Sequence, residues 1–221
     1  MDRILEEQKH YYRERASEYD EWFYRLGRYD RGPGWNHRWV EEVKTLQRAV
    51  VGLGGFESIL ELACGTGIWT EALTAMTGDL TAIDASAEVI EINRGKIGRP
   101  AIKYLQCDIF EWQPERQYDL VFFAFWLSHV PPGQLATFLK TVYSAVKPGG
   151  QVFAIDSLPY EQSADQMYQT RKLKDGREFR IVKIYYDPST LKATLEQHGF
   201  RADVRTTGEF FWYASCAKQE S

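Results

Sequence analysis

The sequence predicts an α/β protein in which helices cover both faces of a mostly parallel sheet. Apolar runs of strand length alternate with helix-compatible segments through the middle of the chain. The predicted strands are 58–63, 79–83, 102–106, 118–124 and 151–156, and the helices between them are 68–77, 86–95 and one that follows Pro131-Pro132. Because parallel strands are joined by crossover helices, this alternation favours a parallel sheet with helices on both sides.

The residues that precede this alternation predict a helical cap. Residues 1–24 are typical of a helix or helix pair, because Tyr12, Tyr19 and Phe23 recur on one helical face. A loop rich in Gly and Pro then leads to a second helix at 36–53.

After the core, a predicted β-hairpin interrupts the alternation. Its turn is Lys174-Asp175-Gly176-Arg177, flanked by alternating residues. Asp187-Pro188 then begins a terminal helix, and two strands around Gly208 follow it. The sequence therefore predicts one domain, 1–221, made of a cap and first helix (1–54), a core (56–160), an inserted hairpin (168–186) and a terminal helix and strand pair (187–218).

Composition narrows the class of protein. The chain has 27 basic and 31 acidic side chains, a net charge of −4, which does not favour a nucleic-acid partner. Three cysteines make no disulfide framework, the first residues are charged rather than apolar, and no apolar run approaches the ~20 residues of a membrane span. We therefore expect a cytoplasmic protein, a monomer or homodimer, with no membrane partner and no metal.

Two glycines at the end of the first predicted strand give the strongest functional indication. The apolar run 59–63 stops at Gly65 and Gly67, and a second apolar run ends in Asp84. A strand, a glycine turn and a helix form the nucleotide site of open α/β sheets, and an acid after the second strand can bind ribose hydroxyls. The dinucleotide motif requires a third glycine where this chain has Thr70, so a nucleoside ligand without phosphates is favoured.

This arrangement resembles the class I S-adenosylmethionine-dependent methyltransferases, especially those that act on small molecules. The resemblance rests on segments in the family's order, at 61–67, 84, 107–109, 118–123, 147–150 and 187–218. It implies a Rossmann-like, doubly wound sheet of seven strands with an antiparallel last strand, S-adenosyl-L-methionine as cofactor and S-adenosyl-L-homocysteine as product. The cofactor-binding residues it implies are Glu61, Ala63, Gly65, Gly67, Asp84, Ala85, Asp108, Ile109, Phe123 and Trp126. Glu61 has an alternative role in a structural hydrogen bond to the glycine loop.

The sequence offers fewer candidates for catalytic and substrate-lining residues than for cofactor-binding residues. His129 follows the fourth strand and is a candidate general base, because imidazole titrates near neutrality; the alternative is a loop histidine that caps the next helix. Tyr19 is a candidate to stabilise a sulfonium through its ring face. Tyr12, Trp22, Trp126 and His129 are the predicted substrate-lining residues.

The predicted function is transfer of a methyl group to a small, aromatic or apolar molecule by in-line displacement. Such a reaction depends mainly on positioning and on exclusion of water. One alternative is a protein or RNA methyltransferase that docks through the basic run from Arg171 to Lys183, which could also be an ordinary solvated hairpin face. Another is an NAD-dependent oxidoreductase, which Thr70 disfavours, and a third is a catalytically silent binding subunit.

Overall fold

The computed structural model describes residues 2–99, 101–159 and 167–219. Met1 and residue 160, at the ends of two predicted segments, lie outside the described residues. The helices are α1 (Asp2–Glu14), α2 (Tyr19–Phe23), α3 (Pro33–Val51), α4 (Thr70–Thr74), α5 (Ala87–Ile97), α6 (Pro132–Ala145) and α7 (Pro188–Gln197). The strands are β1 (Ile59–Leu62), β2 (Leu80–Asp84), β3 (Lys103–Gln106), β4 (Tyr118–Ala124), β5 (Val146–Ser157), β6 (Tyr168–Lys172), β7 (Glu178–Val182), β8 (Phe200–Thr206) and β9 (Phe211–Lys218).

Seven strands form one sheet in the order β3-β2-β1-β4-β5-β9-β8. The first five in sequence pair in parallel, whereas β9 pairs antiparallel with both β5 and β8. The strand order reverses between β1 and β4, and open α/β sheets bind ligands at such a switch point, outside the carboxyl ends of the strands. The predicted doubly wound sheet with an antiparallel last strand is confirmed.

Successive side chains of β4 enter different halves of the core. Val121 and Phe123 pack with α6 and α7 on one face of the sheet. Leu120 and Phe122 pack with α3, α4 and α5 on the other. This alternation follows from the two-residue period of a strand, and burial on both faces is typical of a parallel sheet.

The hairpin and the first helix form a separate layer beside the sheet. β6 and β7 pair antiparallel, as predicted, and make a two-stranded sheet. Tyr11 of α1 packs against Leu173, Phe179 and Ile181 of the hairpin. The side chain of Gln8 accepts a hydrogen bond from the Val182 backbone N–H at 2.9 Å. The hairpin therefore fixes α1 above the edge of the main sheet.

Some element boundaries differ from the sequence-based expectation. α3 begins at Pro33, three residues before the predicted start, because proline is suited to the first turn of a helix. β5 begins at Val146, which pairs with Tyr118 before a register shift, and Gly149 adopts a φ of +72° in that irregular stretch. Ser86 and Asp187, which precede α5 and α7, both accept backbone hydrogen bonds at the helix starts.

Within the described residues, every helix is too short or too polar to cross a membrane.

Candidate active site

A cavity of about 510 Å³ opens at the carboxyl ends of β1 to β4. The loops after these strands form its floor, and α1 lies across it as a roof. The strand-end residues that line it are Ala63, Gly65, Thr66, Asp84, Ala85, Gln106, Asp108, Ile109, Ala124, Phe125 and Trp126. The roof residues are Leu5, Glu6, Gln8, Lys9, His10, Tyr12 and Arg13.

Left-handed backbone shapes the floor of this cavity. Ala63 and Phe125, which follow β1 and β4, have φ values of +53° and +55°. Such values are uncommon for residues with a Cβ and concentrate at functional sites. Gly67 has a φ of +91°, and a Cβ there would lie 2.8 Å from Oδ1 of Asn93. Glycine is therefore required at position 67 both by conformation and by space.

Asn93 of α5 holds the glycine loop in this shape. Its buried Nδ2 donates to the backbone oxygens of Cys64 and Gly65 at 3.4 and 3.2 Å, and to Oγ1 of Thr70 at 2.8 Å. Sequence reasoning missed Asn93, because nothing in its local pattern separates it from an ordinary helix residue.

Asp84 is fixed at the end of β2 by two backbone amides. Its Oδ2 accepts from Gly65 N–H at 3.0 Å, and its Oδ1 accepts from Ser86 N–H at 3.0 Å. Burial raises the pKa of this carboxyl, while the backbone hydrogen bonds oppose the shift. Each oxygen keeps further acceptor capacity, which is suited to a pair of neighbouring hydroxyl groups.

Asp108, which follows β3, and Trp126, which follows β4, also line this cavity. Asp108 accepts from Phe110 N–H at 2.9 Å and forms a 2.7 Å ion pair with Lys9 of α1. The Trp126 ring packs on Phe110 with centroids 5.6 Å apart. The Nε1 of Trp126 is buried and has no hydrogen-bond partner within the part of the chain that the structure describes. A buried donor of this kind at a cavity wall is available to a ligand acceptor.

Seven of the ten predicted cofactor-binding residues line the cavity, and Glu61, Gly67 and Phe123 do not. Glu61 is buried in β1 and accepts from Oγ1 of Thr70 at 2.7 Å, and burial raises its pKa to about 8. This geometry corresponds to the structural alternative. Gly67 acts behind the lining through its backbone shape. Phe123 instead packs against Phe138 of α6 in the core, because strand alternation turns its side chain away from the cavity.

A second cavity of about 250 Å³ lies next to the first. Both cavities are lined by Tyr12, Tyr19, Phe125 and His129, which form a common wall. The other residues that line the second cavity are Tyr11, Arg15, Trp22, Arg25, Arg28, Tyr29, Arg31, Ser157, Arg171, Ile181, Lys183 and Tyr185. Of the predicted substrate-lining residues, Tyr12 and His129 belong to both cavities, Trp22 to the second and Trp126 to the first.

His129 lies where the cap, the loop after β4 and the hairpin meet. Its Nδ1 is 2.6 Å from the Val182 carbonyl oxygen and its Nε2 is 2.8 Å from the Tyr12 hydroxyl. These contacts require Nδ1–H to donate and Nε2 to accept from Tyr12. Burial holds the pKa of His129 well below its ordinary value, with further lowering by Lys183 and Arg171. The imidazole is therefore neutral, and its acceptor nitrogen is already occupied.

Tyr19 begins α2 and faces both cavities. Its ring lies 5.1 Å from the Arg15 guanidinium carbon, a cation–π contact. Burial raises the pKa of its phenol, so the hydroxyl is protonated at neutral pH. Beside it, Asp20 accepts from Oγ1 of Thr66 and forms an ion pair with Lys96 of α5. These contacts attach the cap to the glycine loop and to the helix that supports it.

The chain matches the family model of a methyltransferase domain over residues 59–150. It is 32% identical over 122 residues to the demethylmenaquinone methyltransferase of Lactococcus lactis subsp. lactis (strain IL1403), a match that covers 50% of this chain and 48% of that relative. The chain thus spans about half the length of the curated relatives it matches.

Two solved structures are similar along nearly the whole chain. The DhpI–SAH complex has 37% sequence identity and a TM-score of 0.79, and the match covers 99% of this chain and 98% of the other. The DhpI–SAM–HEP complex has 37% identity and a TM-score of 0.80, with 96% and 97% covered. Together with the sheet order and the geometry of the glycine loop, these matches show that the chain belongs to the class I S-adenosylmethionine-dependent methyltransferases.

Proposed function

We propose that this chain transfers a methyl group from S-adenosylmethionine to a small molecule bound in the second cavity. The observation that carries the proposal is the common wall of Tyr12, Tyr19, Phe125 and His129 between two adjacent cavities. A cofactor in the larger cavity and an acceptor in the smaller one would meet at this wall. The smaller cavity, about 250 Å³, has room for a small molecule.

The larger cavity fits the cofactor by its donors and acceptors. Asp84 would accept from the ribose hydroxyls, because Gly65 and Ser86 hold its carboxylate while leaving acceptor capacity free. Asp108 and Ile109 would contact the adenine. The buried Nε1 of Trp126, which no described residue accepts from, would find an acceptor in a bound ligand. A volume of about 510 Å³ falls within the usual range for cofactor pockets.

The bound cofactor supplies an activated methyl group on a sulfonium, so the chain must mainly align the acceptor and exclude water. α1 covers the larger cavity and is held there by Gln8, Lys9 and Tyr12. Tyr12 and Tyr19 line both cavities, and an aromatic ring face there would favour the positive charge of a sulfonium. His129 serves to position Tyr12 rather than to remove a proton, because its Nε2 already accepts from that hydroxyl.

The hairpin geometry favours a small acceptor over a protein or RNA. Arg171 and Lys183 line the second cavity instead of facing an open docking surface. Toward the turn, Lys174 forms an ion pair with Glu21, and Arg177 pairs with Glu14 at 2.7 Å. The basic run is therefore largely used to hold the cap helices and to line the cavity.

Binding of S-adenosylhomocysteine, measured by calorimetry beside NAD, tests the proposal. We expect micromolar binding of S-adenosylhomocysteine and no binding of NAD. Asp84→Asn should weaken the binding, whereas Asp79→Asn, an exposed acid at the other end of β2 that pairs with Arg116, should leave it unchanged. Tight NAD binding without S-adenosylhomocysteine binding would refute the proposal.

A further inference from the structure

The second cavity concentrates positive charge in a chain whose net charge is −4. The basic side chains that line it are Arg15, Arg25, Arg28, Arg31, Arg171 and Lys183. Among the described residues, no Asp or Glu lines it. Glu18 pairs with Arg28 and Asp156 pairs with Lys183 from outside the lining. A cavity of this composition is suited to an anion.

The burial of Arg15 gives the strongest indication that this cavity binds an anion. It is only 7% exposed, and its guanidinium carbon lies 5.1 to 5.8 Å from the ring centroids of Tyr11, Tyr19 and Tyr29. Its Nη2 donates to the Tyr29 hydroxyl at 3.2 Å, whereas its buried Nε has no hydrogen-bond partner among the described residues. A buried cation whose side-chain hydrogen bond goes to a neutral group is costly, and a bound anion would reduce that cost.

Arg171 and Lys183 reach the same cavity from the hairpin. Lys183 is 6% exposed, and its Nζ donates to Oγ of Ser128 at 2.8 Å and to Oδ1 of Asp156 at 3.2 Å. Nη2 of Arg171 donates to the neutral Oε1 of Gln169 at 2.6 Å. Arg15, Arg171 and Lys183 all lower the pKa of His129, which indicates that their charges converge near this imidazole.

Resting on the function proposed above, we infer that the acceptor carries a dianionic oxyanion of the phosphate or phosphonate class, held by Arg15, Arg171 and Lys183. Among the described residues, Lys183 pairs with a carboxylate whereas Arg15 and Arg171 do not, so these two arginines contribute two positive charges that a ligand can neutralise. A tetrahedral oxyanion matches that charge and offers three oxygens to the fork-shaped guanidinium donors. A carboxylate would supply one charge and two oxygens.

An acceptor of this class also needs no general base, which agrees with Nε2 of His129 being taken up by its hydrogen bond from Tyr12. One anionic oxygen forms the new C–O bond with its own electron pair, while the C–S bond breaks and its electrons pass to sulfur. The sulfonium becomes a neutral thioether and the oxyanion loses one negative charge, so no proton is transferred. A neutral acceptor hydroxyl would require a base, and the nitrogen of His129 that could serve already accepts from Tyr12.

Calorimetry tests this inference: the protein is titrated first with S-adenosylhomocysteine and then, in its presence, with inorganic phosphate or with acetate. Arg171→Gln is the informative variant, and Lys172→Gln is its matched control. Both remove one positive charge from β6, but Lys172 is exposed and does not line the cavity. We expect phosphate to bind more tightly than acetate. Phosphate affinity should fall at least tenfold in Arg171→Gln and less than twofold in Lys172→Gln, with S-adenosylhomocysteine affinity unchanged in both.

Each contrary result has a distinct meaning. Binding of S-adenosylhomocysteine without phosphate binding, or equal phosphate affinities in the two variants, would overturn the anion site and leave the proposed function standing. Tighter binding of acetate would overturn the phosphate class. Phosphate binding without S-adenosylhomocysteine binding would support the anion site and overturn the proposed function.

Discussion

The hydrogen bond from the Tyr12 hydroxyl to Nε2 of His129 attaches the cap over both cavities, and removing it should weaken cofactor binding. Tyr12→Phe keeps the ring and deletes only the hydroxyl, which lies 2.8 Å from that nitrogen. The buried nitrogen would lose its donor, at a cost of about 1–3 kcal/mol. At about 1.4 kcal/mol per factor of ten, this cost corresponds to a weakening of S-adenosylhomocysteine affinity of up to about 5- to 150-fold.

His129→Asn tests the same bond from the other side. An Asn amide can still donate to the Val182 carbonyl, which Nδ1 of His129 approaches at 2.6 Å, but it cannot accept from Tyr12 as Nε2 does. We expect the two single variants and the double variant to have similar cofactor affinities, because each breaks one shared contact. Single-turnover methyl transfer at saturating cofactor and acceptor should change less than tenfold. A loss of 10²-fold or more in His129→Asn, with unchanged cofactor affinity, would refute the positioning role and identify His129 as a base.

Stability at acid pH provides an independent check on His129. Its folded-state pKa is depressed by burial, whereas the unfolded imidazole titrates near 6.5. The stability that it contributes is therefore present above about pH 6.5 and is lost as the pH falls toward the folded pKa. In urea unfolding, the free energy of unfolding should fall more steeply with decreasing pH for the wild type than for His129→Asn. Parallel pH profiles would contradict a buried, neutral imidazole.

Three further predictions concern the cofactor site and the cap. Asp84→Ala should cost roughly 2–4 kcal/mol of S-adenosylhomocysteine affinity with the fold retained, because buried hydroxyls lose their acceptor; an unchanged Kd would remove Asp84 from the site. Because burial raises the pKa of Glu61 to about 8, its contribution to stability is full below about pH 4.5 and is lost as the pH rises toward 8. In urea unfolding, the stability of Glu61→Gln relative to the wild type should therefore increase as the pH rises from about 4.5 toward 8. A difference in stability that stays constant with pH would contradict the raised pKa of Glu61. Hydrogen exchange should slow in residues 2–35 when S-adenosylhomocysteine is added, and unchanged exchange there would argue against a closing cap.

The lining of the larger cavity was largely predictable because many of its residues follow the ends of predicted strands. Gly65, Asp84 and Asp108 each lie within two residues of such an end, and the parallel sheet brings these ends to one edge. Phe123 was misplaced for a physical reason. β4 is buried on both faces, so hydrophobicity does not reveal which of its alternating side chains points toward the cavity.

The second cavity was less predictable, because contacts between distant parts of the chain form it. His129 meets Tyr12 across 117 residues and Val182 across 53. The basic run of the hairpin was visible, but its sequence could not distinguish Arg171, which lines the cavity, from Lys172, which is exposed. Arg15 carried no local signal, because its burial depends on tyrosines of the cap.

Methyl transfer to a small molecule is tested most directly by following a ¹³C-labelled methyl group from S-adenosylmethionine by NMR. The purified protein would be incubated with the labelled cofactor and with separate low-molecular-weight, protein and RNA fractions of a cell extract, and Asp84→Ala would be the control. We expect a new labelled methyl signal, in the low-molecular-weight fraction alone, that Asp84→Ala greatly weakens. Label that appears in the protein or RNA fraction, or a signal of equal strength with Asp84→Ala, would contradict methyl transfer to a small molecule at this site.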